Sequence, residues 1–271
     1  MKLSIIIVTH NNLKYTRECI TEIKKYTNDY EIIMIDNASS DGTIEFIKET
    51  THKYILNDYN SGFAHAVNQG LELAEGEYVC LLNNDLLVYR DWSKDLIFRL
   101  NQLEKDYKVG AVAPIGRGIG HKQDYVQIYG EHGFHEPYTD NYYIFNEGNK
   151  VFRYGKYTES KYLTGCCLLM RTNLLKSLNG LDENCVCGAD DADLSIRLRL
   201  NGFKLFVIED VFVYHYNHKT FISIGREAEI KLFDKSWNYF NDKWDFLGVS
   251  IEKMLYNEEE FYYSNINNTK K

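Results

Sequence analysis

An excess of positive charge is missing from this 271-residue chain. Its 31 Lys and Arg stand against 39 Asp and Glu, a net charge of −8. Nucleic acid is therefore disfavoured as the main partner, because phosphate binding is driven by basic side chains, and acceptors of large negative charge are disfavoured with it. No run is long and apolar enough to span a bilayer. The six cysteines, Cys19, Cys80, Cys166, Cys167, Cys185 and Cys187, contain no CxxC pair. A thiolate zinc site is not expected from them, and Cys185 with Cys187, lacking a second pair, is a weak metal signal. Three of the six sit in apolar runs, where a reduced Cys behaves as a small hydrophobe. Proline is scarce, with two residues in all, which says nothing about chemistry. No secretory leader is expected, since Met1-Lys2 runs directly into a strand-like segment, and cytoplasmic residence is the default expectation. What is present, 44% hydrophobic and 26% charged residues, suits one large globular domain with or without an appended helical segment.

The stretch YVCLLNND at 78–85 organises the first half. Its apolar part reads as a strand buried on both faces, and it stops abruptly at Asn83, Asn84 and Asp85. Asp85 could hold a hard divalent cation through oxygen, and the cation a diphosphate; the plain alternative is a turn that caps a strand. Upstream, LSIIIV at 3–8 reads as a central parallel strand opening into Thr9, His10, Asn11 and Asn12. A helix over 14–26 carries Tyr15, Ile20, Ile23 and Tyr26 on one side. The strand at 31–35 ends in Asp36, where a carboxylate can accept hydrogen bonds from a base or ribose, and then in turn residues of which Ser40 or Asp41 can cap the next helix. A short strand at 53–56 leads through Asn60 to Gly62 and a helix over 63–75. Free N–H groups at the amino end of that helix, at Gly62, can meet an anion. Four strand ends thus form one polar rim, and residues 1–90 read as a nucleotide-binding half.

Beyond it, a helix over 92–103 precedes a strand over 109–115. Residues 116–160 are irregular and rich in Tyr, with His121, His132 and His135; they are either a sugar-stacking segment or an ordinary hairpin insertion. An apolar strand is expected over 161–170, with Gly165 allowing close backbone approach. Gly180-Leu181-Asp182-Glu183 is followed by an acidic tract, Asp190, Asp191 and Asp193, that runs into a helix bearing Leu194 and Leu198. Strand-like segments at 203–209 and 211–216 lead to His215 and, three residues on, His218. Over 221–256 the aromatic stripe Phe233, Trp237, Phe240, Trp244 and Leu247 predicts a helix. Docking of that stripe on the preceding domain is the favoured reading; a homodimer or peripheral membrane association is the alternative. Residues 264–271 read as a disordered tail.

SIIIVTHNN, IDNASSDGT, NSGFAHAVNQG and YVCLLNND, in this order and spacing, resemble the amino-terminal half of the family 2 glycosyltransferases, relatives of bacterial rhamnosyl- and N-acetylhexosaminyltransferases. The resemblance covers residues 1–220. It implies an α/β fold of GT-A type, a Rossmann-like mixed, mostly parallel sheet flanked by helices. Residues 109–220 would be the acceptor and catalytic half, and 221–263 a C-terminal helical segment. It implies inverting transfer of a sugar from a UDP- or dTDP-sugar donor to a hydroxyl of a glycan, lipid-linked saccharide or protein acceptor, with Mn²⁺ or Mg²⁺ as cofactor and cell-surface polysaccharide synthesis as the setting. The enzyme would be cytoplasmic, with the inner membrane face as a possible peripheral location.

Residue by residue, the resemblance gives Thr9, Asn11 and Asp36 to the nucleoside, with Asp36 reading the pyrimidine. Asn60, Gly62 and Asn68 would line the nucleotide. Asn83, Asn84 and Asp85 stand where the family has an Asp-x-Asp metal motif, so Asn replaces the first acid and Asp85 is the main acidic ligand. Gly165 and Cys166 would lie beside the donor sugar. His215, or its rival His218, would reach the metal. Asp191 would be the general base, with Asp190 in place of the usual Glu. A single displacement needs such a carboxylate to take the proton of the attacking hydroxyl, and a cation can stabilise the leaving diphosphate. At a helix amino end the dipole favours an ionised carboxylate, which equally suits plain capping. Two other readings stay open: a nucleotidyltransferase, which would carry a Gly-rich basic loop that 9–14 lacks, and a noncatalytic sugar-nucleotide-binding scaffold subunit, against which Asp85 and Asp191 speak.

Overall fold

The computed structural model describes residues 2–51, 53–117, 119, 123, 155–216 and 226–248, the side chains of 226–229 excepted. Expectations for His121, His132, His135 and His218, for most of the 116–160 insertion and for the 264–271 tail lie outside the described residues.

The first half is a run of β-α units. β1 (Leu3–Thr9), α1 (Leu13–Tyr26), β2 (Tyr30–Asn37), α2 (Thr43–Thr50), β3 (Lys53–Asn57), α3 (Phe63–Leu73) and β4 (Tyr78–Leu82) follow in sequence. β1 lies between β2 and β4 and is parallel to both, and β3 adds parallel to β2. The order β3-β2-β1-β4 therefore brings four carboxyl ends to one edge. Continuous β-branched runs form β1 and β2 because both faces are covered. Ile5 and Ile7 pack with Cys19, Ile20 and Ile23 of α1 on one face, while Ile6 packs with Ala66, Val67 and Leu71 of α3 on the other. Gly70 is where α3 meets the sheet most closely. A Cβ there would stand 2.6 Å from Ile35 and 2.7 Å from Ile6.

The second half extends the same sheet with mixed pairing. β5 (Leu86–Leu87), α4 (Trp92–Leu103), β6 (Val109–Arg117), β7 (Tyr157–Ser160), β8 (Cys167–Arg171), α5 (Thr172–Ser177), α6 (Asp190–Leu200) and β9 (Lys204–His215) lead to α7 (Arg226–Trp244) and a 3₁₀ turn at Asp245–Leu247. Among the described residues nine strands form one sheet, β3-β2-β1-β4-β8-β6-β9-β5, with β7 also on β9. β8 is antiparallel to β4 and to β6, whereas β6 and β9 are parallel.

Two sequence expectations need correction here. The strand expected over 161–170 begins only at Cys167, because the Gly165 N–H is turned away from the ladder to Asp191. The segments around 203–209 and 211–216 are one long strand, β9, whose register against β6 jumps from Pro114↔Ile208 to Ile115↔Phe212. That bulge lets β9 pair with β7 early and with β5 at its end, where Leu86 lies opposite His215.

The aromatic helix docks, as the stripe suggested. Phe240, Trp244 and Leu247 are buried with Cys185, Ala189, Ala192 and Ile196 of the α6 region. No helix among the described residues is long and apolar enough to cross a membrane.

Candidate active site

The loops after β1 and β2 are tied to each other. Asp36, fully buried at the end of β2, accepts from the Thr9 hydroxyl at 3.0 Å and from the Ser39 N–H at 2.8 Å. Asn11, held at φ +58°, accepts the Ser40 N–H at 2.8 Å, and its own N–H reaches Ser39 Oγ at 2.7 Å. Asp41 accepts from the Leu13 and Thr43 N–H groups, so one carboxylate caps both α1 and α2. Thr9, Asn11 and Asp36 thus lie along one hydrogen-bonded edge between the two loops.

Two of the expected nucleotide contacts are used differently. The Gly62 N–H is not free: it donates to Asn60 Oδ1 at 3.1 Å. Gly62 still marks a close approach, at φ +88° and with its Cβ position 3.2 Å from the Val186 carbonyl. Asn68 spends its side chain on the protein. Its amide donates to Leu181 O and Glu183 Oε1, each at 2.9 Å, and its carbonyl accepts the Leu181 N–H at 2.8 Å. With both donors taken, Asn68 is a staple between α3 and the 181–183 loop.

Past β4, the Asn83-Asn84-Asp85 turn sends its side chains in different directions. Asn84 is buried and donates to Thr16 of α1 at 2.9 Å, and Asn83 is anchored by its N–H on the Cys166 carbonyl at 2.9 Å. Asp85 turns to the end of β9, where its Oδ1 lies 3.1 Å from His215 Nε2. β5 makes this meeting obligatory, since Leu86 pairs with His215 and the Tyr216 N–H donates to the Asp85 carbonyl at 3.0 Å.

Asp191 opens α6 and is held from three sides. Its Oδ2 accepts from the Tyr162 hydroxyl at 2.8 Å and the Gly165 N–H at 3.0 Å, and its Oδ1 accepts the Ala192 N–H at 2.8 Å. Burial raises its pKa above the usual carboxylate value, and the bonds from Gly165, Tyr162 and Ala192 pull the other way. The buried Asp190 beside it is raised well above the usual value by burial and by the Asp191 charge. Gly165 makes this contact a close one, as a Cβ there would stand 3.2 Å from Asp191 Cβ. One residue on, burial pushes the Cys166 thiol up, with the charges of Asp191 and Asp85 acting in the same direction. Gly165-Cys166 is therefore a backbone bridge with Asp191 at one end and the 83–85 turn at the other.

Comparison with known proteins resolves what this edge belongs to. The model of "Glycosyl transferase family 2" matches residues 4–178. This chain belongs to that family. The chain is 29% identical over 114 residues to the glycosyltransferase GlyG of Streptococcus pneumoniae, covering 40% of this chain and 38% of that protein. It is 23% identical to the rhamnosyltransferase WbbL of Escherichia coli over 228 residues, 79% of this chain and 83% of that one. It is 27% identical to the poly(ribitol-phosphate) β-N-acetylglucosaminyltransferase TarS of Staphylococcus aureus over 128 residues, 44% of this chain but 22% of TarS. The chain thus spans about two fifths or less of GlyG and TarS. Among solved structures, TarS 1–349 superposes with a TM-score of 0.56 at 18% identity, covering 93% of this chain and 77% of that one. The mannosyltransferase PcManGT of Pyrobaculum calidifontis, in complex with GDP-Man and Mn²⁺, gives 0.57 at 20% identity over 79% of this chain and 56% of that one. These likenesses establish the GT-A fold.

The residues present fit a divalent cation in part. Asp85 and His215 offer one carboxylate oxygen and one imidazole nitrogen at the same point. Among the described residues no cluster of three or more His, Cys, Asp or Glu could hold a metal, so further ligands would have to come from diphosphate and water. Sequence reasoning missed Tyr162, whose hydroxyl reaches Asp191, and Lys243, which reaches Asp182 and Asp193. Tyr162 lies in an apolar run that predicts strand, and Lys243 lies off the aromatic stripe that predicts the helix.

Proposed function

We propose that this glycosyltransferase is an inverting enzyme that moves a sugar from a UDP- or dTDP-sugar to an acceptor hydroxyl by single displacement. The observation that carries the reading is the Gly165-Cys166 bridge, which fixes Asp191 and the Asp85 turn at one sheet edge. Thr9, Asn11 and Asp36 hold the nucleoside, with Asn60 and Gly62 flanking it; Asn68 is left out because its donors are taken. Asp85 and His215 hold Mn²⁺ or Mg²⁺, which supplies charge stabilisation to the leaving diphosphate. Asp191 accepts the proton of the attacking hydroxyl, and Tyr162 with the Gly165 N–H orients it and favours its ionised form. Asp190 beside it has its pKa raised by burial and by the Asp191 charge, which disfavours its ionised form. A UDP-sugar is favoured by the fold shared with TarS, which has been solved in complex with UDP-GlcNAc. The acceptor is a hydroxyl of a glycan, a lipid-linked saccharide or a protein. The test is Asp191→Asn. Retained binding of UDP with lost donor turnover supports the base; unchanged turnover removes it.

A further inference from the structure

Lys243 lies on α7, beyond the segment matched by the family model. Its ammonium donates to Asp182 Oδ2 at 2.6 Å and to Asp193 Oδ1 at 2.5 Å. Asp193 is fully buried, and it also accepts Arg197 Nε at 2.6 Å and Trp244 Nε1 at 3.1 Å. Asp182 accepts the Tyr239 hydroxyl at 2.8 Å and the Asn184 N–H at 3.0 Å. Two carboxylates thus meet two cations, Lys243 and Arg197, and α7 provides three of the donors. The two acids bracket the 183–192 stretch that carries Asp190 and Asp191. Within it, the Cys187 N–H is tied to Ser236 of α7 at 2.9 Å, and the Val186 carbonyl rests against Gly62.

We propose that Lys243 is a positioning residue: by clamping Asp182 and Asp193 it fixes the first turn of α6, and with it the side chain of Asp191. The proposal rests on the base reading of Asp191. Removing Lys243 leaves buried Asp193 with Arg197 and Trp244 and takes away the cation paired with Asp182, and an undercompensated buried carboxylate is unfavourable. Without Lys243 the turn would relax to hydrate Asp182 and the Oδ1 side of Asp193, moving Asp191 off Tyr162 and Gly165. The nucleotide edge is built on β1–β4 and would stay in place. The loss should therefore fall on turnover rather than on nucleotide binding.

The full-length chain is compared with Lys243→Met, Lys243→Arg, Trp244→Phe and Asp191→Asn. Three quantities are read: affinity for UDP with Mn²⁺, backbone amide exchange over 186–193, and hydrolysis of the fastest donor among UDP-GlcNAc, UDP-glucose, dTDP-rhamnose and GDP-mannose. Lys243→Met is expected to speed exchange over 186–193 and to lower hydrolysis by about 10²-fold, as ångström-scale misplacement does, with UDP affinity unchanged. Lys243→Arg keeps the charge and the donors and should restore both. Trp244→Phe removes one donor to Asp193, together with part of a buried ring, and should move both quantities in the same direction by less, which decides the matter if Lys243→Met does not fold. Wild-type exchange and hydrolysis in Lys243→Met, or in Trp244→Phe if Lys243→Met does not fold, would overturn the proposal, as would a loss in Lys243→Arg as large as in Lys243→Met. The exchange readout separates the two readings. If Asp191→Asn stays fully active while Lys243→Met frees the turn, the base reading fails and the clamp stands.

Discussion

Asp191 takes its character from three donors and a burial cost that oppose one another. Replacing it with Asn keeps the shape and removes the proton acceptor. Turnover should fall by about 10²- to 10⁴-fold, the usual contribution of a general base, while UDP binding measured by calorimetry stays near wild type. The pH profile follows from the sign of the shift. A base works ionised, and the Asp191 pKa is raised, so the acid limb of kcat/KM should lie above the ordinary Asp value of about 3.9. Tyr162→Phe removes a hydrogen bond to the ionised form and should move that limb to still higher pH. A limb that stays put would mean that another group titrates.

Some site residues were legible in the sequence and others were not. Asp85 and His215 stood out as polar groups at the ends of apolar runs, and β5 then brings them to 3.1 Å. Asn68 sat in a recognisable segment, yet its partners lie 113 and 115 residues away, and no local pattern announces them.

Among the elements, the parallel half could be read from continuous β-branched runs, because each such strand is covered on both faces. The second half was harder. The apolar run at 161–170 continues past the point where Gly165 leaves the ladder, and the β9 bulge carries no composition signal. Gly70 shows how tightly α3 is set. Gly70→Ala should destabilise by about 1–3 kcal/mol through overpacking despite its better helix propensity, read as a lower Tm.

α7 gains its hold from Phe240, fully buried against α6, and from the Asp182–Lys243 pair. Phe240→Ala should cost about 3–5 kcal/mol. The ion pair adds an acid sensitivity. Burial opposes ionisation of Asp182, but Lys243, Asn184 and Tyr239 overcome it and depress its pKa. A depressed folded-state pKa contributes stability that is complete above the unfolded value of about 3.9 and is lost as pH falls through the folded one. Emission of Trp237 and Trp244 should therefore change as the solution is titrated below about pH 4. In Asp182→Asn that component should be missing. An identical acid transition in both proteins would contradict the assignment.

At the scale of the whole molecule, four parallel strand ends supply the nucleotide edge, the antiparallel insertion of β8 delivers Gly165-Cys166, and β9 returns His215 to Asp85. The two halves thus meet along one line, with the proposed base on one side and the candidate metal ligands on the other. Asp85→Asn should weaken activation by Mn²⁺, raising the Mn²⁺ concentration needed for half-maximal turnover, because a neutral amide is a poorer ligand for a hard cation. Unchanged Mn²⁺ dependence would move the cation elsewhere.

The measurement closest to the central claim is release of nucleoside diphosphate from a panel of UDP-, dTDP- and GDP-sugars, with Mn²⁺, Mg²⁺ or chelator, by wild type and Asp191→Asn. Metal-dependent release from a UDP- or dTDP-sugar by wild type, abolished by chelator and cut by about 10²-fold or more in Asp191→Asn, is the predicted result. Absence of nucleotide binding under every condition, or equal release by both proteins, would contradict it.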